Sequence, residues 1–206
     1  VPKIENNINT AKEALLNGVP IIYPTDTLYS FGALAADSKT INLINNMKKR
    51  KSPLSIILSN VKQINTYGII QKKYNSIIND ILPGKYTILL KAKKHELSEL
   101  IQNNSKLIGI RIPNHKFTIE LVKNLLEPII TTSVNIHGQK PLIDIYEIEK
   151  AYPEIKIFYD QKKLNSKGST ILDLSQKSIN VIRVGDGKVI KWNILLEYLV
   201  LQGHIN

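Results

Sequence analysis

The apolar positions of this chain fall into short runs punctuated by proline, glycine and hydroxyl residues. Ile4, Ile8, Ala11, Leu15 and Leu16 share one face at helical spacing, and Gly18 is a natural stop. The run at 20–23 halts at Pro24, which disfavours a helical Tyr23, so a strand is predicted to end there. Ser38 is a candidate cap for a helix carrying Ile41, Ile44 and Met47, and a second strand is predicted at 54–58. Ile77, Ile78, Ile81 and Leu82 mark another helix, closed by the Pro83-Gly84 turn. Strands are predicted at 86–91 and at 107–112, the second terminated by Pro113. An amphipathic stretch at 115–126 stops before Pro128, and a short run at 128–131 enters Thr132-Ser133-Val134-Asn135. A helix near 144–151, strands near 156–159, 170–174 and 179–184, and a helical tail at 192–202 complete the pattern. Strands and helices alternate without strict order, and several strands can pair as hairpins. The pattern predicts a single α/β domain with a mixed, twisted sheet. There is no internal repeat, low-complexity tract or linker.

Composition narrows the chemistry. The 206 residues are 43% hydrophobic and 22% charged, as in a globular domain. The net charge of +11 and the pI near 9.6 favour phosphate-bearing partners, although a lysine-rich solvated face gives the same totals. The chain has no cysteine, which excludes disulfides, thiol nucleophiles and cysteine-held metals. No run approaches the roughly 18 apolar residues of a membrane helix, and the first residues lack a signal-peptide core. The expectation is a cytoplasmic protein without a membrane partner.

Cations and hydroxyls gather at strand ends. After the strand at 20–23 come Thr25, Asp26 and Thr27; before the strand at 54–58 come Lys48, Lys49, Arg50 and Lys51. Arginine offers a planar fork to two phosphate oxygens and lysine a point charge, so Lys48 and Arg50 suit a triphosphate. Cations that merely complement a helix dipole have the same spacing, and spacing alone favours that reading. Arg111 ends an apolar strand, where a charge needs a partner: a ligand carboxylate in a cleft or a structural Asp or Glu. Ser133 and Asn135, two apart, face the same way on extended backbone, or serve an ordinary turn. Ser169-Thr170 opens one strand and Arg183 ends the next. The chain has no Walker-type phosphate loop, no Gly-x-Gly-x-x-Gly and no Gly-x-Ser-x-Gly elbow, and its four histidines lack metal-ligand spacing.

Six ordered blocks stand out: Pro-Thr-Asp-Thr-Leu-Tyr, Lys-x-Arg before Pro-Leu, Leu-Pro-Gly-x-x-Thr, Ile-Arg-Ile-Pro-x-His, Ser-x-Asn-x-x-Gly, and Ser-Thr-Ile-Leu-Asp-Leu with a later arginine. Each is weak alone; together, over about 11–185, they resemble the YrdC-like family, the threonylcarbamoyl-AMP synthases. The resemblance implies a catalytic domain at 1–185, with a largely antiparallel twisted sheet and flanking helices around a positively charged cleft, and a short tail at 186–206. It also implies an activity: L-threonine, bicarbonate and ATP give threonylcarbamoyl-AMP and pyrophosphate. A partner transferase then passes the threonylcarbamoyl group to tRNA. Mg²⁺ is expected with ATP as its counterion.

By matching position, the resemblance puts Thr27, Arg111, Thr131 and Ser169 at threonine. It puts Lys48 and Arg50 at the reacting phosphates, and Arg50, Ser52, Leu107, Ser133, Asn135, Pro141 and Arg183 at ATP. No metal ligand is implied. The departures are Ser30 where the family usually has glycine, a short 50–53 loop, Ile57 in place of a histidine, and His137 and Pro141 after Ser-x-Asn. Two alternatives stay open: a non-catalytic module of the same fold that binds double-stranded RNA or tRNA, and a carbamoyl-adenylate domain detached from a larger carbamoyltransferase.

Overall fold

The computed structural model describes residues 4–159 and 165–188. Its strands are β1 (Ile4–Glu5), β2 (Ile21–Tyr23), β3 (Ser30–Gly32), β4 (Ser55–Ile57), β5 (Gly68–Ile69), β6 (Tyr86–Ala92), β7 (Leu107–Arg111), β8 (Ile129–Ser133), β9 (Lys156–Phe158), β10 (Thr170–Asp173) and β11 (Asn180–Arg183). The helices are α1 (Ile8–Leu16), α2 (Ser38–Lys48), α3 (Ile64–Tyr67), α4 (Asn75–Ile81), α5 (Lys116–Leu125) and α6 (Ile145–Ala151). The strands form one sheet in the order β1-β9-β2-β3-β8-β4-β7-β6-β10-β11, with β5 paired to β6. The pairs β1–β9, β2–β9, β4–β7 and β6–β10 are parallel and the others antiparallel, so the sheet is mixed and mostly antiparallel.

Strand side chains alternate between faces, and the two faces of this sheet are covered differently. On one face Phe31, Ile56, Ile88, Ile110, Ile130 and Leu172 pack against Ile41 and Ile44 of α2, Ile77, Ile78 and Ile81 of α4, and Ile148 of α6. On the other, Ile21, Tyr23, Ile57 and Ile129 pack against Ala11 and Leu15 of α1 and Phe117, Leu121 and Leu125 of α5. This second face is covered only in part. Ile57 and Ile129 lie under the helices, whereas Ser55 and Thr131, one repeat along on the same strands, line an open cavity.

Several predicted details change. Ile4 does not extend the first helix: it lies in β1, paired in parallel with Ile157. Leu16 is exposed, because only Ala11, Ala14 and Leu15 of α1 are buried. The cap of α2 is Asp37, whose carboxylate accepts from Thr40 N at 3.1 Å, and Ser38 is the first helical residue. β1, β3 and β5 have no counterpart among the predicted strands. Among the described residues no helix is long and apolar enough to cross a membrane. The predicted helix at 192–202 lies outside the described residues.

Candidate active site

The open part of the sheet face is a cavity of about 320 Å³. Its floor is a row of hydroxyls on adjacent strands: Ser30 on β3, Thr131 and Ser133 on β8, Ser55 on β4 and Thr87 on β6, with Ser169 just before β10. They bond in pairs. Thr131 Oγ1 donates to Ser30 Oγ at 3.1 Å, and Thr87 Oγ1 lies 2.8 Å from Ser169 Oγ. Gly109 of β7 pairs with Ser55, and a Cβ there would stand 2.5 Å from Ser55 Oγ, so only glycine leaves this serine its place on the floor.

Three arginines from separate segments converge on the cavity: Arg50 after α2, Arg111 at the end of β7 and Arg183 at the end of β11. Lys167 adds a fourth cation, and among the described residues no Asp or Glu lines the wall. Arg50 Nε donates to Ser52 O at 3.1 Å and its Nη2 to Pro53 O. Arg183 holds Ser169 O through Nε at 3.1 Å and Nη2 at 2.8 Å. Burial first, and repulsion from Arg183 second, hold Arg50 below the usual arginine range. Burial and then Arg111 do the same to Arg183. Guanidiniums that repel one another and are anchored mainly by carbonyls form a strong anion site.

The threonine-rich loop after β2 owes its shape to Thr25. Its fully buried hydroxyl donates to Leu28 O at 2.7 Å and accepts from Thr27 N and Leu28 N at 3.1 and 3.2 Å. This knot turns Thr27 toward the cavity, where its Oγ1 accepts from Arg111 Nη2 at 3.1 Å. Arg111 has the structural carboxylate partner and still reaches the cavity wall. It pairs with Asp26 at 2.9 Å, and its buried Nε has no partner among the described residues.

Lys48 takes an unforeseen position. It is 1% exposed, and its ammonium donates to Ser133 O, to Asn135 O at 2.7 Å and to Asn135 Oδ1 at 2.7 Å. His137 N returns a bond to Lys48 O at 2.8 Å, so Lys48 grips the Ser133–Asn135 loop from beneath and does not line the cavity. Burial, with Arg50 as a second cause, pushes its pKa down from 10.5 to about 7. The three oxygen acceptors oppose that change because they favour the charged form.

Of the predicted site residues, Thr27, Arg50, Arg111, Thr131, Ser133, Asn135, Pro141, Ser169 and Arg183 line this cavity. Lys48, Ser52 and Leu107 are not on its wall. Ser52 supplies a carbonyl to Arg50, and its buried hydroxyl has no partner among the described residues. Leu107 shares a strand face with Arg111 but lies four residues back, roughly 13 Å along the strand. Ser55, Thr87, Gln139 and Lys167 belong to the wall without having been predicted. The signal for Ser55 and Thr87 was a lone polar residue inside an apolar strand. A larger recess of about 690 Å³, between the starts of α1 and α5, contains no arginine. Among the described residues no group of three His, Asp or Glu side chains can hold a metal.

An α/β domain with a hydroxyl floor and convergent arginines has the donors and charge that small anionic ligands require. A family profile, Sua5/YciO/YrdC, described as "Telomere recombination", matches residues 13–185, and the chain belongs to that family. It is 35% identical over 178 residues to a "Putative threonylcarbamoyl-AMP synthase" of Methanocaldococcus jannaschii, covering 84% of this chain and 83% of that one. E. coli YciO superposes with a TM-score of 0.82 at 26% identity, over 91% of this chain and 95% of that one. P. abyssi Sua5 complexed with L-threonine superposes with a TM-score of 0.81 at 23% identity, over 88% of this chain. The present chain spans 57% of that Sua5 chain's length.

Proposed function

We propose that this protein is a threonylcarbamoyl-AMP synthase. The observation that carries the reading is the convergence of Arg50, Arg111 and Arg183 on one hydroxyl-floored cavity whose wall, among the described residues, bears no carboxylate. The kinship with the M. jannaschii protein and the threonine in the Sua5 complex support the choice of substrates.

The threonine amine combines with bicarbonate, losing water, to give a carbamate. A carbamate oxygen attacks the α-phosphorus of ATP and pyrophosphate leaves, forming the mixed anhydride. The nucleophile comes from the substrate, so no side-chain nucleophile is required, in keeping with a chain without cysteine. Catalysis then rests on alignment and on stabilising charge at phosphorus. Arg111 takes the threonine carboxylate through the donors left by Asp26 and Thr27, with Thr27, Thr131 and Ser169 completing that end. Arg50 and Arg183 hold the phosphates, helped by Ser133 and Asn135 on the loop that Lys48 supports. Ser52, Leu107 and Pro141 belong to the nucleotide end. Mg²⁺ enters with ATP as its counterion. The labile product is consumed by a partner transferase acting on tRNA.

Incubation with ATP, threonine and bicarbonate should release pyrophosphate only when all three are present. Arg50→Ala and Arg111→Ala should each lower the rate by about 10²–10³-fold, the usual effect of removing one donor aimed at developing charge. Release that ignores threonine, or near-normal rates in both variants, would reject the reading.

A further inference from the structure

The cavity's arginines are not equivalent. Arg50 is anchored by the carbonyls of Ser52 and Pro53, and Arg183 by the carbonyl and hydroxyl of Ser169, all neutral groups. Arg111 alone among the three has a carboxylate partner within ion-pair distance among the described residues. Asp26 Oδ1 accepts from Arg111 Nη2 at 2.9 Å, and the two side chains are only 5% and 7% exposed. The other oxygen, Oδ2, accepts from Asn114 N at 2.9 Å, just before α5. The Asp26 carboxylate is therefore fixed from two sides, by groups 85 and 88 residues away in sequence.

Asp26 itself does not line the cavity; it stands behind Arg111. A guanidinium has five N–H donors. Asp26 and Thr27 take those of Nη2, and the buried Nε has no partner among the described residues, which leaves Nη1 as the outward donor. The Nη1 donors remain for a ligand, but the positive charge behind them is already opposed. At the Arg50 and Arg183 end no carboxylate among the described residues lies within ion-pair distance of either guanidinium. One cavity thus has an uncompensated end suited to a multiply charged phosphate and a compensated end suited to a single carboxylate.

We propose that Asp26 is a positioning and selectivity residue: it aims Arg111 and tempers its charge, so that this end of the cavity takes a monoanionic carboxylate and turns away inorganic phosphate. This rests on the functional reading above for the identity of the carboxylate as threonine's, but the charge argument needs only the cavity.

The test is Asp26→Asn, which is nearly isosteric and removes the charge. Inorganic phosphate and L-threonine are titrated separately by calorimetry into the wild type and the variant. Phosphate should bind the variant about tenfold or more tightly, since a unit charge a few ångströms from Arg111 has been removed in a partly buried site. Threonine should bind more weakly by a similar factor. In turnover assays its KM should rise while kcat at saturation changes less than about threefold. Asp26→Glu, which keeps the charge, should leave phosphate affinity near that of the wild type. A folded Asp26→Asn protein whose phosphate affinity is unchanged or weaker overturns the proposal, because a purely structural role would weaken both ligands. Should Asp26→Asn not fold, nitrogen-edited NMR of the wild type decides. Resolved, slowly exchanging Nη2 protons on Arg111 support the clamp, and protons averaged with solvent overturn it. Absence of threonine-dependent pyrophosphate release would sink the functional reading while leaving the phosphate comparison to judge Asp26.

Discussion

Replacing Lys48 with methionine isolates what it means to bury an ammonium with no carboxylate among the described residues within ion-pair distance. In the native protein its pKa lies at about 7 against an ordinary 10.5. Between those values the unfolded chain binds more protons than the folded one, so stability rises with pH across that window. The penalty is complete below about pH 7 and gone above pH 10.5. A tenfold loss of proton affinity on folding corresponds to about 1.4 kcal/mol, and the rise in stability from pH 7 to pH 9 amounts to roughly 2 kcal/mol. For a chain of this size that is roughly 4–8 °C in Tm. Methionine keeps most of the volume and removes the proton. It also strips a donor from Ser133 O and Asn135 O, a loss of about 1–3 kcal/mol that does not vary with pH. Thermal melts of both proteins at pH 6, 7, 8 and 9 separate the two effects. The wild type should climb relative to Lys48→Met above pH 7, other titrating groups cancelling in the difference. Parallel curves would refute the reasoning and return Lys48 to an ordinary lysine held charged by its three acceptors.

Gly185→Ala should disturb the site from outside it. A Cβ there would lie 2.2 Å from Gly168 O and 2.5 Å from Ser169 C, both backbone, so the loop bearing Ser169 must shift. The expected result is about 1–3 kcal/mol less stability by denaturant titration together with weaker threonine and ATP binding by calorimetry; unchanged binding would show that the loop yields elsewhere. Asp37→Ala is the matching control. It removes the α2 cap, which holds Thr40 N at 3.1 Å, and should lower stability by about 0.5–2 kcal/mol while leaving ligand affinities intact.

Much of this architecture could be read from the chain. The strands at Ile21–Tyr23, Ser55–Ile57, Tyr86–Ala92 and Leu107–Arg111 announce themselves as apolar runs cut off by proline, glycine or a charge. β3 does not, because Ser30-Phe31-Gly32 reads as the tail of a hydroxyl loop and becomes a strand only by pairing with β2 and β8. β1 has two residues and is stabilised by a partner, β9, more than 150 positions later, beyond any local pattern. The site divides in the same way. Arg111 was conspicuous as a charge closing an apolar strand, whereas Arg183 gained meaning only from the resemblance. Lys48 was placed correctly in sequence but not in space. Helix-end spacing cannot reveal that its side chain turns inward under a loop 85 residues away. Asp26 sat inside a quoted motif, and its role emerged only when Arg111 and Asn114 were brought to it.

The sheet interleaves two kinds of residue. On β4, Ser55 faces the cavity and Ile56 faces the oil; on β8, Thr131 faces the cavity and Ile130 the oil. Scaffold and chemistry are thus spelled in alternate letters of the same word. Exchanging the cavity-facing letters alone can change what the chamber accepts with the framework untouched, and proteins sharing this framework are free to differ in what they accept. A slip of one position does the reverse, turning greasy side chains outward and hydroxyls inward. Such an error would surface as an insoluble chain before it could surface as a poor catalyst.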